Sequence, residues 1–379
     1  MPFIGNQPTA IPLTSSDLTD GIVTNPKLST GSQQNFRNII INGDMSIAQR
    51  GTSSTGVTSG GYYTCDRWFI ENTTMGTFTI SQSTDVPSGQ GFAKSLKFDC
   101  TTADASPASG DTIGLRQKFE GQNLQYLKFA TSSAESLTLS FWIKSNKTGT
   151  YNVALFGQDS ASTAQYFTKA YTISSADTWE KKTITYPGNT ANGFDNDNAR
   201  SLDLVFNFGT GSGNTGGTLQ TVWSNYGTSA DYYATQGVNI ADNTSNELYI
   251  TGVQLEAGEV ASDFEFLPHD VNLQRCQRYF QKFNSTNCID GAFYSSAVAR
   301  FHVQLNPSMR ASPSSSFDGS LTQAVEEVGF SFRTPTDFAL NASSTNAMSF
   351  NANGMSGGTT SRYAMFRGQI MSLSLSSEL

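Results

Sequence analysis

Three features of the sequence predict an all-β protein built around a β-sandwich. Only 14% of its 379 residues are charged while 12% are aromatic, against roughly 25% charged in an average globular domain. Apolar and polar residues alternate with period two over several stretches of five or more residues, the signature of half-buried strands. Between these stretches run long connections rich in Gly, Ser, Thr and Asn, above all 209–247. So many aromatics exclude a disordered chain, and the length suffices for one large or two to three ordinary domains.

The elements follow in chain order. Residues 1–35 hold Pro2, Pro8, Pro12 and Pro26, and the next proline is Pro87. Proline removes a backbone donor and disfavours helix in the residue before it, so this leader is expected to run extended. Its apolar residues, among them Phe3, Ile4, Ile11, Leu13 and Leu18, keep neither helical nor strand period. They have no means of burying themselves locally, and an arm ordered on a partner is expected.

The β-branched triplet Ile39-Ile40-Ile41 reads as the first strand, stopped by Asn42-Gly43-Asp44, a turn signal. "SLKFDC" places Leu96, Phe98 and Cys100 on one face, and "LTLSFWIKS" does the same with Leu137, Leu139, Phe141 and Ile143. "LDLVFNFG" alternates Leu202, Leu204, Phe206 and Phe208. One short helix interrupts the strands: "PHDVNLQRCQRYFQKF", 268–283, with Asp270 as its expected N-cap. Leu273, Cys276, Phe280 and Phe283 form its apolar stripe, of which Leu273, Phe280 and Phe283 are expected to serve as an oligomer contact. A C-terminal β region is expected after it, beginning with "SSAVARFHVQL" and ending at "IMSLSLSSEL". The expected divisions are thus 1–35, 36–267, 268–285 and 286–379.

Several classes of function are excluded or disfavoured. A net charge of −8 with no basic run suits nucleic acid poorly, because phosphate binding rests on Lys and Arg. The longest apolar runs are four or five residues, too short to span a bilayer. The N-terminus has no basic region followed by an apolar core, so no signal peptide is expected and assembly in the cytoplasm is. Cys65, Cys100, Cys276 and Cys288 form no CxxC pair and are expected to be free, mostly buried thiols.

Two motif matches carry no chemistry. Gly211–Gly216 fits GxGxxG, yet no helical stripe follows as a dinucleotide fold requires. Gly354–Gly358 fits GxSxG, but the two histidines, His269 and His302, precede it, whereas the elbow's histidine follows it. Two scattered histidines also leave no zinc site. Paired carboxylates remain open among 31 acids.

Five segments then carry a resemblance. "RNIIINGDMSIAQRG", "CDRWFI", "LTLSFWIKSNKTGTYNVAL", "TWEKKTITYPG" and "LYITGVQLEAG" occur in this order. Together they resemble the carbohydrate-binding-module-like jelly rolls of bacteriophage fibre proteins. The segments "VASDFEFLPHDVNLQRCQRYFQKF" and "FHVQLNPSMRASPS" resemble the distal parts of such fibres, and the leader resembles a virion-attachment segment. The resemblance implies a jelly roll over 36–267, a virion location, anchoring to other virion proteins through 1–35, and a homotrimer. It implies that "LYITGVQLE" lies beside the Asn-Gly-Asp stretch, where Asp44 and Glu256 could hold a structural calcium ion. It also implies non-catalytic attachment to a host surface glycan, with tail fibre as the leading mounting. Two alternatives stand beside it: a glycan-cleaving tailspike, and a head fibre, decoration or adaptor protein without receptor binding. Sugar recognition requires exposed aromatic faces beside amides and carboxylates. Loop 209–237 supplies Trp223, Tyr226, Tyr232 and Tyr233, with Asn225 and Asp231.

Overall fold

A computed structural model describes residues 36–159, 164–227, 232–234, 236–283, 288–327, 329, 331–367 and 371–379. The expected anchor, with Phe3, Ile4, Ile11, Leu13 and Leu18, lies outside the described residues, as does Asp231. Every element below belongs to the compact unit Asn38–Leu379.

β1 (Ser53–Tyr62) and β2 (Phe69–Ser83) form an antiparallel pair. β3 (Ser95–Thr102), β4 (Thr112–Glu120), β5 (Leu137–Ser145) and β6 (Gly149–Gly157) follow. β7 (Gln165–Ile173), β8 (Glu180–Tyr186), β9 (Arg200–Thr210), the two-residue β10 (Ser224–Asn225) and β11 (Glu247–Ala257) come next. Eight of these strands make two antiparallel sheets, β3-β11-β5-β8 and β4-β9-β6-β7. Numbered along the chain, the eight run 1-8-3-6 and 2-7-4-5 across their sheets, which is the double Greek key of a jelly roll. β2 bridges the two sheets, pairing through its first residues with β4 and through its later ones with β3.

The alternation read from the sequence explains why the sheets face each other. Leu96 and Phe98, Leu139 and Phe141, and Leu204 and Phe206 are all fully buried in one core. Rings meet across the layers: Phe141 of β5 lies 4.9 Å from Phe206 of β9, and Phe98 of β3 lies 5.1 Å from Phe208. Such edge-to-face pairs each add about 0.5–1.5 kcal/mol beyond their buried area.

The segment 38–41 joins no ladder and bends at Ile41, a correction to the strand expected there. It does lie along β11, as the resemblance implies: the Ile39 amide donates to the Leu255 carbonyl (2.9 Å), and the Val253 amide donates to the Gly43 carbonyl (3.0 Å). Side chains replace the missing strand partner. The buried Gln117 amide accepts from the Ile41 N–H (2.7 Å) and donates to the Ile41 carbonyl (2.9 Å). At the turn, Asn42 adopts the left-handed conformation with φ of 59°. A Cβ on Gly43 would stand 2.1 Å from the Val253 carbonyl oxygen, so only glycine allows that approach.

The helix α1 spans His269–Gln277 and begins on Pro268. Asp270 lies in its first turn and is not the cap. It is also shorter than expected. Phe280–Phe283 forms the strand β12 instead, paired with Met371–Ser376. This non-local pairing overrides the helical spacing. Leu273, Cys276 and Tyr279 pack on Ile41 and Ile47, while Phe283 packs on the distal core. Phe280 is only 5% exposed. Of the stripe expected as an oligomer contact, Phe280 is thus buried within the chain, while Leu273 and Phe283 are half-buried against it.

The remaining strands are β13 (Cys288–Ser295), β14 (Val298–Gln304), β15 (Ser314–Gly319), β16 (Val325–Glu327) and β17 (Ser331–Arg333). β18 (Asp337–Ser343), β19 (Ala347–Asn353), β20 (Tyr363–Arg367) and β21 (Met371–Ser376) complete them. They form a seven-stranded sheet, β17-β16-β20-β13-β14-β19-β18, and a three-stranded one, β12-β21-β15. Phe301, Phe350, Phe366, Leu373 and Leu375 fill the core of this distal β region.

Charge joins this region to the jelly roll. Glu120 receives Arg278 through two bonds (2.8 and 2.6 Å) and also the Tyr279 hydroxyl. Burial would raise the Glu120 carboxyl, but those donors outweigh it and hold it below the ordinary carboxylate range. Arg67, fully buried, pairs with Glu378 and lies 3.5 Å over the Tyr279 ring.

Candidate functional site

The outward face of the sheet β4-β9-β6-β7 is covered in part by the long loop that follows β9. On this face Ala154, Tyr166 and Val205 form an apolar floor, on which Tyr232 and Tyr233 pack. Tyr226 completes the cluster. Its ring stands 5.5 Å from Phe156, 5.9 Å from Tyr166 and 6.1 Å from Tyr232, edge-on to each. It remains 45% exposed. Its backbone is fixed by a 2.8 Å bond from its amide to the Ala164 carbonyl and by the pairing of β10 with β7.

Polar groups border this ring. Asn225 is exposed and accepts a 2.8 Å bond from Gln165, which in turn accepts from Asn189 (2.7 Å). Two residues beyond Phe156 on β6, an open depression of about 400 Å³ is lined by Gln158, Asp159, Asp197, Ala199, Arg200 and Ser201. Arg200 is held by a fork to the buried Asp203, through a 2.8 Å bond from Nε. Arg116 bonds Glu71 at 2.8 and 3.0 Å on the same face. Burial alone would lower the Arg116 value, and Glu71, Tyr232, Asp203 and Tyr233 together raise it. On this sheet face, then, an aromatic edge is fixed by its neighbours, and Asn225, Arg200 and Arg116 are each held by side-chain bonds.

The residues expected from the sequence fare unequally. Tyr226 and Asn225 lie at the exposed ledge. Tyr232 and Tyr233 are buried beneath it, burial pushing both phenols well above their ordinary range. Trp223 packs against Phe129 and Phe167, and its indole N–H bonds the Pro187 carbonyl (2.7 Å). These three are therefore supports and not contact faces. Phe156, Gln158 and Arg200 were missed. The outward positions of β6 read Asn152, Ala154 and Phe156, and a ring at the end of a polar face was the available signal.

The glycine-rich motif 211–216 is a close-packed turn. Added Cβ atoms at Gly211 and Gly213 would stand 1.8 Å from the Ala108 carbonyl and 2.0 Å from the Ser109 hydroxyl. Cys65, Cys100 and Cys276 are free and buried.

The residues suggested for calcium do not fit it. Both Glu256 oxygens are engaged, by the Ser262 amide (2.8 Å), the Ser262 hydroxyl (2.6 Å) and Gln254 (2.9 Å). Asp44 accepts from the Asn272 amide (3.1 Å) and lines a cleft with Glu265 and Arg275. An amide N–H and a guanidinium oppose a dication there. Among the described residues, no three His, Cys, Asp or Glu side chains gather to hold a metal ion.

No protein-family model matches the chain, and no curated protein matches it. Solved structures do match in part. One is a putative sugar binding protein from Bacteroides thetaiotaomicron, 14% identical over 58% of this chain and 99% of its own, with a TM-score of 0.33. Another is the family 11 carbohydrate-binding module of a cellulosomal cellulase of Clostridium thermocellum, 12% identical over 55% of this chain and 96% of its own, at 0.27. A third is the enzymatically active domain of tailspike protein 4 of bacteriophage CBA120, 12% identical, at 0.31. The match there covers 58% of this chain and 21% of the tailspike chain. Likeness at this level carries no functional argument; the jelly roll rests on the strand order. Among the described residues, no helix is long and apolar enough to cross a membrane.

Proposed function

We propose that the chain is a non-catalytic structural fibre of a bacteriophage virion, a tail fibre, that attaches to the host surface by recognising glycan. The observation that carries the glycan reading is the Tyr226 ledge: an exposed, pre-positioned ring next in sequence to the exposed Asn225 and packed on Phe156, two residues before Gln158 of the polar depression. The C–H face of a sugar stacks on such a ring while its hydroxyls bond the flanking amides and charges. The fibre reading rests on the five ordered segments that resemble phage fibre jelly rolls. Three copies on one fibre would multiply weak contacts through effective concentration.

The carboxyl groups support recognition over cleavage. A glycosidase holds two carboxyl groups across a cleft, one kept protonated by a raised pKa. Asp66 is pushed up to about 6 by burial, yet it is fully enclosed and bonded to Gln49, out of reach of a substrate. Purified protein should bind host cells, and soluble host-surface polysaccharide should compete for that binding without becoming shorter. Binding that ignores the polysaccharide would defeat the glycan reading. Shortening that acid-to-amide substitutions abolish would favour a tailspike.

A further inference from the structure

The seven-stranded sheet of the distal region buries one face in its core, and among the described residues its other face carries exposed rings. Alternation assigns the sides: Ile289 and Phe293 of β13 are buried, so Asp290, Ala292 and Tyr294 point outward. Register places Arg300 and Tyr363 on either side of Ala292, and Asn351 beyond Arg300. Tyr294 is 68% exposed and Tyr363 45%. These are large rings on a flat face, not isolated surface residues.

Their neighbours hold them in place. The Arg300 guanidinium lies 4.9 Å over the Tyr294 ring, and its Nε donates a 3.1 Å bond to Asn351. The Tyr363 hydroxyl donates to Asp290. Ala292, itself exposed, leaves a notch between Tyr363 and Arg300, which stand two strand spacings, about 10 Å, apart. The next outward row brings Met365 opposite Asp290, and His302 opposite Ser349.

We infer that this face is a second saccharide-binding platform, taking a neutral sugar in the notch over Ala292. Tyr294 and Tyr363 supply stacking surfaces of low conformational freedom. Arg300 and Asn351 on one side and Asp290 on the other supply donors and acceptors for hydroxyls. The charges that flank Ala292, Arg300 and Asp290, offset each other, and Glu326 stands two strands from Asp290 beyond Met365, so the notch itself suits a neutral ligand. The platform is independent of the Tyr226 ledge.

The test is saturation-transfer NMR on the full chain carrying Tyr226→Ala, which removes the first site. Maltotetraose, cellotetraose and β-1,4-galactotriose serve as probes. Expected is transfer to at least one probe, reduced about tenfold or more by Tyr294→Ala with Tyr363→Ala and retained by Tyr294→Trp. No transfer from the Tyr226→Ala protein, or transfer untouched by the paired substitution, would overturn the platform. So would a fall in solution mass on that substitution, which would make the face a contact between copies. Loss of the Tyr226 site alone leaves these outcomes readable, because the two sites are on different sheets.

Discussion

At the residue scale, Asn42 and Gly43 carry the packing of the jelly roll's entry. The Asn42 amide donates to the Ile47 and Asp66 carbonyls (2.9 and 3.0 Å) and accepts from the Ile47 N–H (2.9 Å), all buried. The Trp68 indole donates to the Asn42 carbonyl (2.9 Å). Gly43→Ala forces a Cβ into the Val253 carbonyl and should cost about 1–3 kcal/mol, the usual scale of overpacking. A thermal melt that moves by less than a degree would contradict this. The turn was legible because Asn-Gly is a local signal. The absence of a strand before it was not, because Gln117, 76 positions away, supplies the pairing.

Asp66 gives a prediction with a definite sign. Burial pushes its pKa up to about 6 from 3.8. Between those values the folded state holds a proton that the unfolded state has released, so this contribution to stability falls as pH rises through the window. Glu120, held low, acts oppositely: its contribution is present above the ordinary glutamate range and is lost as pH falls through its folded value. Comparison of wild type with Asp66→Asn isolates the first effect. The stability of the variant relative to wild type should rise by about 2–3 kcal/mol between pH 4 and pH 7, measured by denaturant unfolding. A difference independent of pH would contradict the assignment.

At the element scale, strands were legible and the helix was not fully so. Period two survives in β5 because Leu137, Leu139, Phe141 and Ile143 turn to the shared core while Thr138, Ser140 and Lys144 alternate with them, although Thr138 and Ser140 are themselves buried. The segment 268–283 carries helical spacing throughout, yet only its first half is helix. From Phe280 the backbone pairs with β21, about 90 residues on, a partner no local window contains. Arg50 lies 3.7 Å over the Phe280 ring, which closes that face further. Phe280→Ala should therefore destabilise by about 3–5 kcal/mol, the range for buried phenylalanine. Light scattering should show no change in mass. A lighter particle with unchanged stability would return Phe280 to an oligomer contact.

The candidate site was half legible for the same reason. Tyr226 and Asn225 stand in a loop whose composition announces aromatics and amides. Which of its rings would be exposed depends on Tyr232 and Tyr233 seating on Val205 and Ala154 from separate strands. That seating is a tertiary fact. Arg200 and Asp203 gave no signal beyond an ordinary charge pair.

At the scale of the whole molecule, the jelly roll and the distal region form one compact unit joined through Glu120, Arg278, Arg67 and Glu378. Removing residues 1–35 should leave that unit folded, with an unchanged melting profile, and should abolish incorporation into virions. Normal incorporation would contradict the anchor. Light scattering on the full chain should give a trimer, and a mass near 40.8 kDa would contradict it.

The central claim is glycan recognition at the Tyr226 ledge, and calorimetric titration with host-surface polysaccharide tests it most directly. Tyr226 is 45% exposed and meets its neighbours only edge-on at the margin of the cluster, so Tyr226→Ala should fold with a small loss of stability. Its affinity should fall about tenfold or more, the equivalent of 1.4 kcal/mol or above. Undiminished affinity in a correctly folded Tyr226→Ala protein would contradict the claim.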